Sequence, residues 1–589
     1  MVLYELQFGG GPAGTRELYW RGSAAPCMGG GLSFRAGDTA AFDTYFNLFS
    51  HEKYAHLCGI GGFTLVLHGE GRFLVRFFWA HEGGEEEIAA FAFSDELSAP
   101  VDLSALPQQG FVYFSLEAQT EGRIFSGYAA AQPPCLREAR IAVVICTYRR
   151  ERFAEAAVQR FLEAAQIEPA WGERLHLYIC DNAGTLRLPP SPLYTLLPGR
   201  NLGGSGGFAR GMAAAAFSPD AAGGFSHILL MDDDVLCPFE TLARTWRLIS
   251  CLLPAHASAT LGGGMLTLEK PAVQYEAGGY YDGFHLASRG HGLHLAAREA
   301  LLANERLPNA NFAAWWYCCM EAGSVRAHGL PMPFFIKSDD IEYGIRCGEE
   351  IVFMSGIGVW HQDFSAKYSA TLEYYIRRNE LITSTLHFSA RVTRPKFAML
   401  YNVYKQLTLK RYDAAELILR AYEDFLKGPQ FLLTADAQQL QREIAAACAP
   451  ALSLAKIGER FPELSLVQPP PAKRLPLPLR AFLLIENFLP ACCFKRQPAA
   501  LPEHDTPVAK AFMRRTAVLC SYGAGTGHIC TLDTKRRAKL RRRACKLFFA
   551  LLFKYKKVKK AYLAQAGALC SAAQWRRAEE GKTDAAPKR

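Results

Sequence analysis

The sequence predicts a multidomain α/β protein. It has an N-terminal β-sandwich of jelly-roll type, a central domain on an open, mainly parallel sheet, and a C-terminal helical domain. Three observations predict this. Short β-branched and aromatic runs punctuated by glycine fill residues 1–135. Continuous apolar runs alternate with helical stretches through 136–385. Alanine- and leucine-rich segments with helical spacing take over from residue 386.

In the first region, Phe63–His68 and Arg72–Phe78 read as strands, and Gly69-Glu-Gly71 between them reads as a hairpin-like turn. Further strands are expected at Ile88–Phe93 and Gly110–Leu116, before a boundary at Gln132-Pro-Pro134. In the second region, Arg140–Cys146 contains the unbroken apolar run of a strand buried on both faces. A helix over Arg152–Ala165 and a strand at Leu175–Cys180 follow, then a strand at His227–Met231. Strand, helix, strand alternation implies parallel pairing, with ligands bound outside the carboxyl ends of the strands. Three polar clusters fall there: Thr147-Tyr-Arg-Arg150, Asp181-Asn182 and Asp232-Asp-Asp234. The last region divides into a helical domain over 386–510 and a basic extension over 511–589.

The chain has 589 residues, too many for one core, and an ordinary globular composition of 50% hydrophobic and 21% charged residues. No run approaches the roughly 18 apolar residues of a membrane span. The start, Met1–Phe8, lacks the basic and apolar regions of a signal peptide, and the 17 cysteines include no Cys-x-x-Cys. A cytoplasmic protein with reduced thiols is expected. Net charge is +10, but 13 Lys and Arg and no acid lie between Lys535 and Lys560, which leaves −3 for the rest. That distribution argues against nucleic acid as a partner. Basic residues around Leu547–Phe553 suit a segment lying on an anionic membrane surface, and a solvated or RNA-binding tail is the alternative.

Asp232-Asp-Asp234 after a buried strand suits a hard divalent cation that also grips a diphosphate, since clustered carboxylates repel without one. An acidic loop before a helix is the alternative. Asn201-Leu-Gly-Gly-Ser-Gly-Gly-Phe208 opens a helix near Ala209, where glycines let backbone amides approach a phosphate or sugar. It is neither a Walker loop nor a dinucleotide fingerprint, and a flexible connector is the alternative. Ser338-Asp-Asp-Ile-Glu342 suits a general base or a solvated helix start. His361 beside Trp360 reads first as a packed histidine, and Trp315-Trp316 as core or as an apolar platform for a sugar.

The order of these elements resembles the galactofuranosyltransferases of the family 2 glycosyltransferases, particularly the polymerising galactan synthases of bacterial cell walls. Thr44-Tyr-Phe-Asn47 begins the likeness. Cys146–Arg150, Asn201–Phe208, Met231–Asp234, Trp315-Trp316, Phe335–Arg346 and Val359-Trp-His361 continue it, over about residues 35 to 385. The resemblance implies a β-sandwich, a central Rossmann-like GT-A domain and a helical domain. It implies that Asp232, Asp234 and His361 hold Mn²⁺ or Mg²⁺, and that Asp340 is the catalytic base with Asp339 beside it on the acceptor side. It further implies that Tyr148, Arg150, Asp181, Asn201 and Asp233 contact a uridine diphosphate, and that Trp315 and Trp316 contact the acceptor. Arg149 departs from the pattern, since relatives often carry Asn there.

The implied reaction is inverting, metal-dependent transfer of galactofuranose from UDP-galactofuranose to a glycan or polyprenyl-linked glycolipid in cell-envelope polysaccharide synthesis. The enzyme would be peripheral at the inner face of the membrane, with a homo-oligomer possible. Rhamnosyl transfer from dTDP-rhamnose is the near alternative, and a non-catalytic carbohydrate-binding scaffold the distant one. A glycoside hydrolase is disfavoured because it needs no metal to grip a diphosphate.

Overall fold

The computed structural model describes residues 1–27, 30–217, 224–364, 369–388, 393–469, 475–504 and 506–581. Two compact units emerge: residues 1–281, 285–330 and 340–362 form the first, and 282–284, 331–339 and 363–589 the second.

The first unit begins with a nine-stranded sheet in which every pair is antiparallel. A helix, α1 (His51–Cys58), precedes its four longest strands, β1 (Gly62–His81), β2 (Gly84–Asp102), β3 (Phe111–Ala118) and β4 (Gly122–Ala130). Here the local reading of Gly69-Glu-Gly71 is corrected. Both flanking runs belong to the single strand β1, and the glycine pair is a corner within it. The amino-terminal half of β1 pairs with β4 and the carboxyl-terminal half with β3. Phe63 and Phe77 lie fourteen residues apart, which a straight strand would separate by about 46 Å. Their rings are 6.2 Å apart. The strand therefore folds back across its own core, and Gly71 supplies the φ of +106° that the corner requires. The true hairpin is the two-residue link between His81 and Gly84.

The rest of this unit is an α/β layer. Its elements are β5 (Ile141–Thr147), α2 (Glu151–Ile167), β6 (Leu175–Asp181), β7 (Tyr194–Pro198), α3 (Gly203–Phe217), β8 (His227–Asp232), α4 (Phe239–Ser250), β9 (Thr260–Thr267), β10 (Gln274–Glu276), β11 (Tyr317–Glu321), α5 (Asp339–Cys347) and β12 (Ile351–His361). Strand order is β7-β6-β5-β8-β11-β9-β10, with β12 on β9. The first four strands are parallel, as the apolar runs predict, but β11 is antiparallel to both β8 and β9, so the sheet is mixed. Ile141–Ile145 are almost wholly buried, and each valine or isoleucine among them contributes about 1.5–3 kcal/mol.

The two parts of this unit are tied through the Thr44-Tyr-Phe-Asn47 motif. Arg244 of α4 donates to the Phe46 carbonyl at 2.9 Å, and the Tyr45 hydroxyl donates to the Ile357 carbonyl of β12 at 3.2 Å. The Phe46 ring lies 5.4 Å from that of Trp360.

In the second unit, α6 (Ala370–His387), α7 (Thr393–Thr408), α8 (Tyr412–Leu426) and α9 (Thr534–Leu569) share one apolar core. Two expectations are corrected here. The region is not purely helical. It carries a four-stranded sheet ordered β13-β16-β15-β14, from β13 (Leu452–Ser453), β14 (Ala499–Pro502), β15 (Thr516–Ser521) and β16 (Thr526–Thr531). Nor is the basic segment a mere extension. Leu540, Ala544, Leu547, Leu551, Tyr555, Val558 and Tyr562 recur every three or four residues, make one face of α9, and are buried against α6, α7 and α8. Arg543 forms a bidentate ion pair with Glu423 at 2.7 and 2.6 Å. No described helix is long and apolar enough to cross a membrane.

Candidate active site

The strand order reverses between β5 and β8, and their carboxyl ends deliver Thr147 and Asp232 to the crevice where such sheets bind ligands. Each acid of the 232–234 run has a distinct environment. Asp233 is buried, accepting from the Thr147 hydroxyl at 2.7 Å and from Arg150 at 2.8 Å. Burial still outweighs these partners and holds its carboxyl above the ordinary range. Asp234 accepts from the second guanidinium nitrogen of Arg150 at 2.7 Å and faces His361 Nε2 at 3.0 Å.

His361 is 127 residues from Asp234 in sequence, and the fold closes that gap with one backbone bridge. Leu236 and Trp360 exchange N–H···O bonds of 2.8 and 3.0 Å, which sets the end of β12 beside the acidic run. His361 Nδ1 lies 2.6 Å from the Gln362 carbonyl, which can only accept, so Nδ1 carries a proton. In a neutral ring Nε2 then has a bare lone pair aimed at a carboxylate. A proton or a metal ion must lie between them for the contact to be favourable. Donor atoms of Asp232, Asp234 and His361 all fall within 4.8 Å of one another. Two carboxylates and an imidazole fit a divalent cation such as Mn²⁺ or Mg²⁺.

Around this cluster, Asp181 is buried and accepts from the backbone N–H groups of Ala183 and Leu186, both at 2.8 Å, fixing the turn after β6. Asn201 accepts from the Gly203 N–H at 3.1 Å. The helix expected near Ala209 begins at Gly203, so most of the glycines lie inside α3. A Cβ at Gly207 would overlap Cys146 Sγ, and one at Gly211 would overlap Val144. These two glycines serve close packing of helix on sheet. Tyr148 is 43% exposed at the rim. Arg149 stands over its ring at 5.3 Å, in the left-handed region with φ 56°. Asn tolerates that conformation better than Arg, which gives the expected Asn a physical reason.

Trp315 and Trp316 are both buried, at 6% and 7% exposure. Trp316 Nε1 donates to the Gly263 carbonyl at 3.0 Å, and Trp315 packs edge-on against Phe208 and Tyr343. Trp315, Asp340 and Glu349 line a cavity of about 20 Å³, room for roughly one water. Asp340 is half-buried near the start of α5, whereas Asp339, the first residue of that helix, is buried. Thr147, Asn182 and Glu349 are parts the sequence reading did not single out. Thr147 and Asn182 lay within the polar strand-end clusters, and Asn182 bonds the Gly203 carbonyl at 2.9 Å. Glu349 carried no local signal: burial pushes its carboxyl up to about 7, and Thr260 partly opposes this.

No family model matches the chain. It is 27% identical over 429 residues to the galactofuranosyltransferase GlfT2 of Mycolicibacterium smegmatis, covering 67% of this chain and 65% of that protein. It is 26% identical over 475 residues to the galactofuranosyltransferase GlfT2 of Mycobacterium tuberculosis, covering 72% of each. The chain thus spans just under two thirds of the first relative's length, and the likeness read from the motifs extends across most of the chain. Among solved structures, a mannosyltransferase of Pyrobaculum calidifontis in complex with GDP-Man and Mn²⁺ aligns with TM-score 0.28 and 13% identity, over 52% of this chain and 79% of that one. A Drosophila β-1,4-galactosyltransferase 7 mutant with manganese, UDP-Gal and xylobiose aligns with TM-score 0.22 and 9% identity, over 39% and 73%.

Proposed function

We propose that this chain is an inverting glycosyltransferase of GT-A type that transfers galactofuranose from UDP-galactofuranose to a glycan or polyprenyl-linked glycolipid acceptor. The observation that carries the reading is the convergence of Asp232, Asp234 and His361 at the switch point of the sheet. These residues would hold Mn²⁺ or Mg²⁺, which when bound neutralises charge on the departing diphosphate. Tyr148 would stack at the nucleotide rim. Arg150, poised between Asp233 and Asp234, would turn its charge toward the phosphates. Asp181, Asn201 and Asp233 would shape the pocket floor. Asp340 takes the proton of the acceptor hydroxyl while that oxygen bonds to the anomeric carbon and UDP leaves. Asp339 and the two tryptophans would set the acceptor side.

Assay with UDP-galactofuranose beside dTDP-rhamnose, on a soluble galactofuranoside acceptor, tests this reading. UDP release with a product heavier by one hexose is expected only from the first donor. Transfer from dTDP-rhamnose alone, or no donor-dependent transfer, would overturn it.

Attachment to an anionic membrane at its cytoplasmic face belongs to the same proposal. Phe549, Leu552 and Phe553 are exposed on α9 among its lysines, which suits an interfacial helix. Because the opposite face of α9 is core, point changes are the suitable test. Phe549→Ser with Phe553→Ser should lower binding to phosphatidylserine vesicles, and unchanged binding would exclude this face.

A further inference from the structure

A second histidine–carboxylate cluster lies in the first unit, built from three segments unrelated to the site above. α1 contributes His56, the short turn Pro254–His256 contributes His256, and the loop before β12 contributes Glu350. His256 Nδ1 is 2.7 Å from one Glu350 carboxylate oxygen, and His56 Nε2 is 3.5 Å from the other. The two imidazole centroids are 4.4 Å apart, inclined at 59°. One donor atom from each residue fits within 4.8 Å of the others. A tetrahedral ion with bonds of about 2.0–2.2 Å holds its donors about 3.4 Å apart. The two contacts run to different oxygens of Glu350, so a small rotation of the carboxylate and the His256 ring would bring one oxygen and both imidazoles to that spacing.

The backbone beneath is fixed before any ligand arrives. Leu253 N–H donates to the Leu57 carbonyl at 2.8 Å, one residue beyond His56 in α1. Thr260 N–H donates to the carbonyl of Glu350 itself at 2.8 Å. Cys58 and Cys251 are in van der Waals contact, Sγ to Sγ at 3.4 Å. Three donors on three pinned segments need little ordering to converge. Glu350 and His56 remain 42% and 59% exposed at their side chains, so solvent can complete the coordination shell.

We propose that His56, His256 and Glu350 form a second metal site, of the Zn²⁺ class, that clips the β region to the root of β12. Two imidazoles with one carboxylate favour a borderline transition ion over Mg²⁺ or Ca²⁺ more strongly than the two carboxylates and single imidazole of the other cluster do. The site is independent of the glycosyl-transfer reading, because none of its residues takes part in it.

The test uses the full chain stripped with chelator and titrated with Zn²⁺ by calorimetry, with bound metal counted after gel filtration. Asp234→Ala, which cripples the other cluster, should still bind one equivalent of Zn²⁺. Adding His56→Ala should abolish that equivalent, while circular dichroism shows the fold retained. Glu350→Gln should weaken binding tenfold or more, and Zn²⁺ should raise the melting temperature of Asp234→Ala but not of Asp234→Ala/His56→Ala. The proposal is overturned if Asp234→Ala binds no Zn²⁺, or if His56→Ala leaves the bound equivalent in place. Should His56→Ala misfold, His256→Gln is read by the same count.

Discussion

The two acidic runs, 232–234 and 339–340, look alike in sequence and are held in place by different means. The first is the end of a central strand. Its carboxylates are placed by sheet pairing and by side chains at and just beyond the end of the neighbouring strand, Thr147 and Arg150. The second follows a segment in which Phe335, Lys337 and Ser338 all have left-handed backbones, with φ of 76°, 67° and 64°. A non-glycine residue there costs on the order of 1–3 kcal/mol and persists only when its surroundings impose it. Two buried residues of α6 do so within the second unit. Arg378 donates to the Phe334 carbonyl at 2.7 Å, and Asn379 donates to the carbonyls of Ile336 at 2.9 Å and Lys337 at 2.8 Å. The first run is thus placed by regular sheet structure, whereas the second follows an irregular segment held by hydrogen bonds from α6.

Four substitutions test this contrast. The largest effect is expected from Asp340→Asn. Loss of a general base should lower turnover by about 10²–10⁴-fold, with UDP affinity unchanged in calorimetry. Turnover within twofold of the parent would remove Asp340 from the mechanism. Next, His361→Ala should reduce metal affinity. Removing a group that only orients a ligand costs about 10–100-fold, and removing the ligand itself should cost no less. A Mn²⁺ titration of activity would show the curve displaced to higher metal, and an unshifted curve would take His361 out of the cluster.

Asn379→Ala tests the restraint on the second run. Two half-buried carbonyls would lose this donor, at no more than about 1–3 kcal/mol apiece. The melting temperature should fall, and turnover should fall with little change in the KM for donor. A drop in stability with turnover untouched would mean that the loop geometry does not reach the base. The smallest effect is expected at Arg149, the strained residue beside the first run. Arg149→Asn should relieve part of a left-handed cost of about 1–2 kcal/mol. It should therefore raise the urea midpoint, and a lowered midpoint would show that the arginine side chain contributes more than its backbone costs.

Much of the first unit was legible because its signals are local. A strand buried on both faces must be apolar throughout, and an acid run ending such a strand must lie at the carboxyl ends of the strands, so β5, β6 and β8 with Asp232–Asp234 could be read directly. The sequence also carried the order of motifs that marks the likeness to galactofuranosyltransferases. Tertiary structure decided what depends on residues far apart in the chain. Gly69–Gly71 became a corner because β1 finds different partners along its two halves. His361 reached Asp234 through the Leu236–Trp360 bridge. Trp315 and Trp316 became buried neighbours of α3, α5 and β9. The basic run at 535–560 shows the same limit most plainly. Its charge is a property of composition and was visible at once. Which face of α9 is core and which meets solvent was fixed only by the apolar surfaces of α6, α7 and α8, because a helix with lysines and leucines on adjacent stripes can bury one face only against a partner that exists in three dimensions.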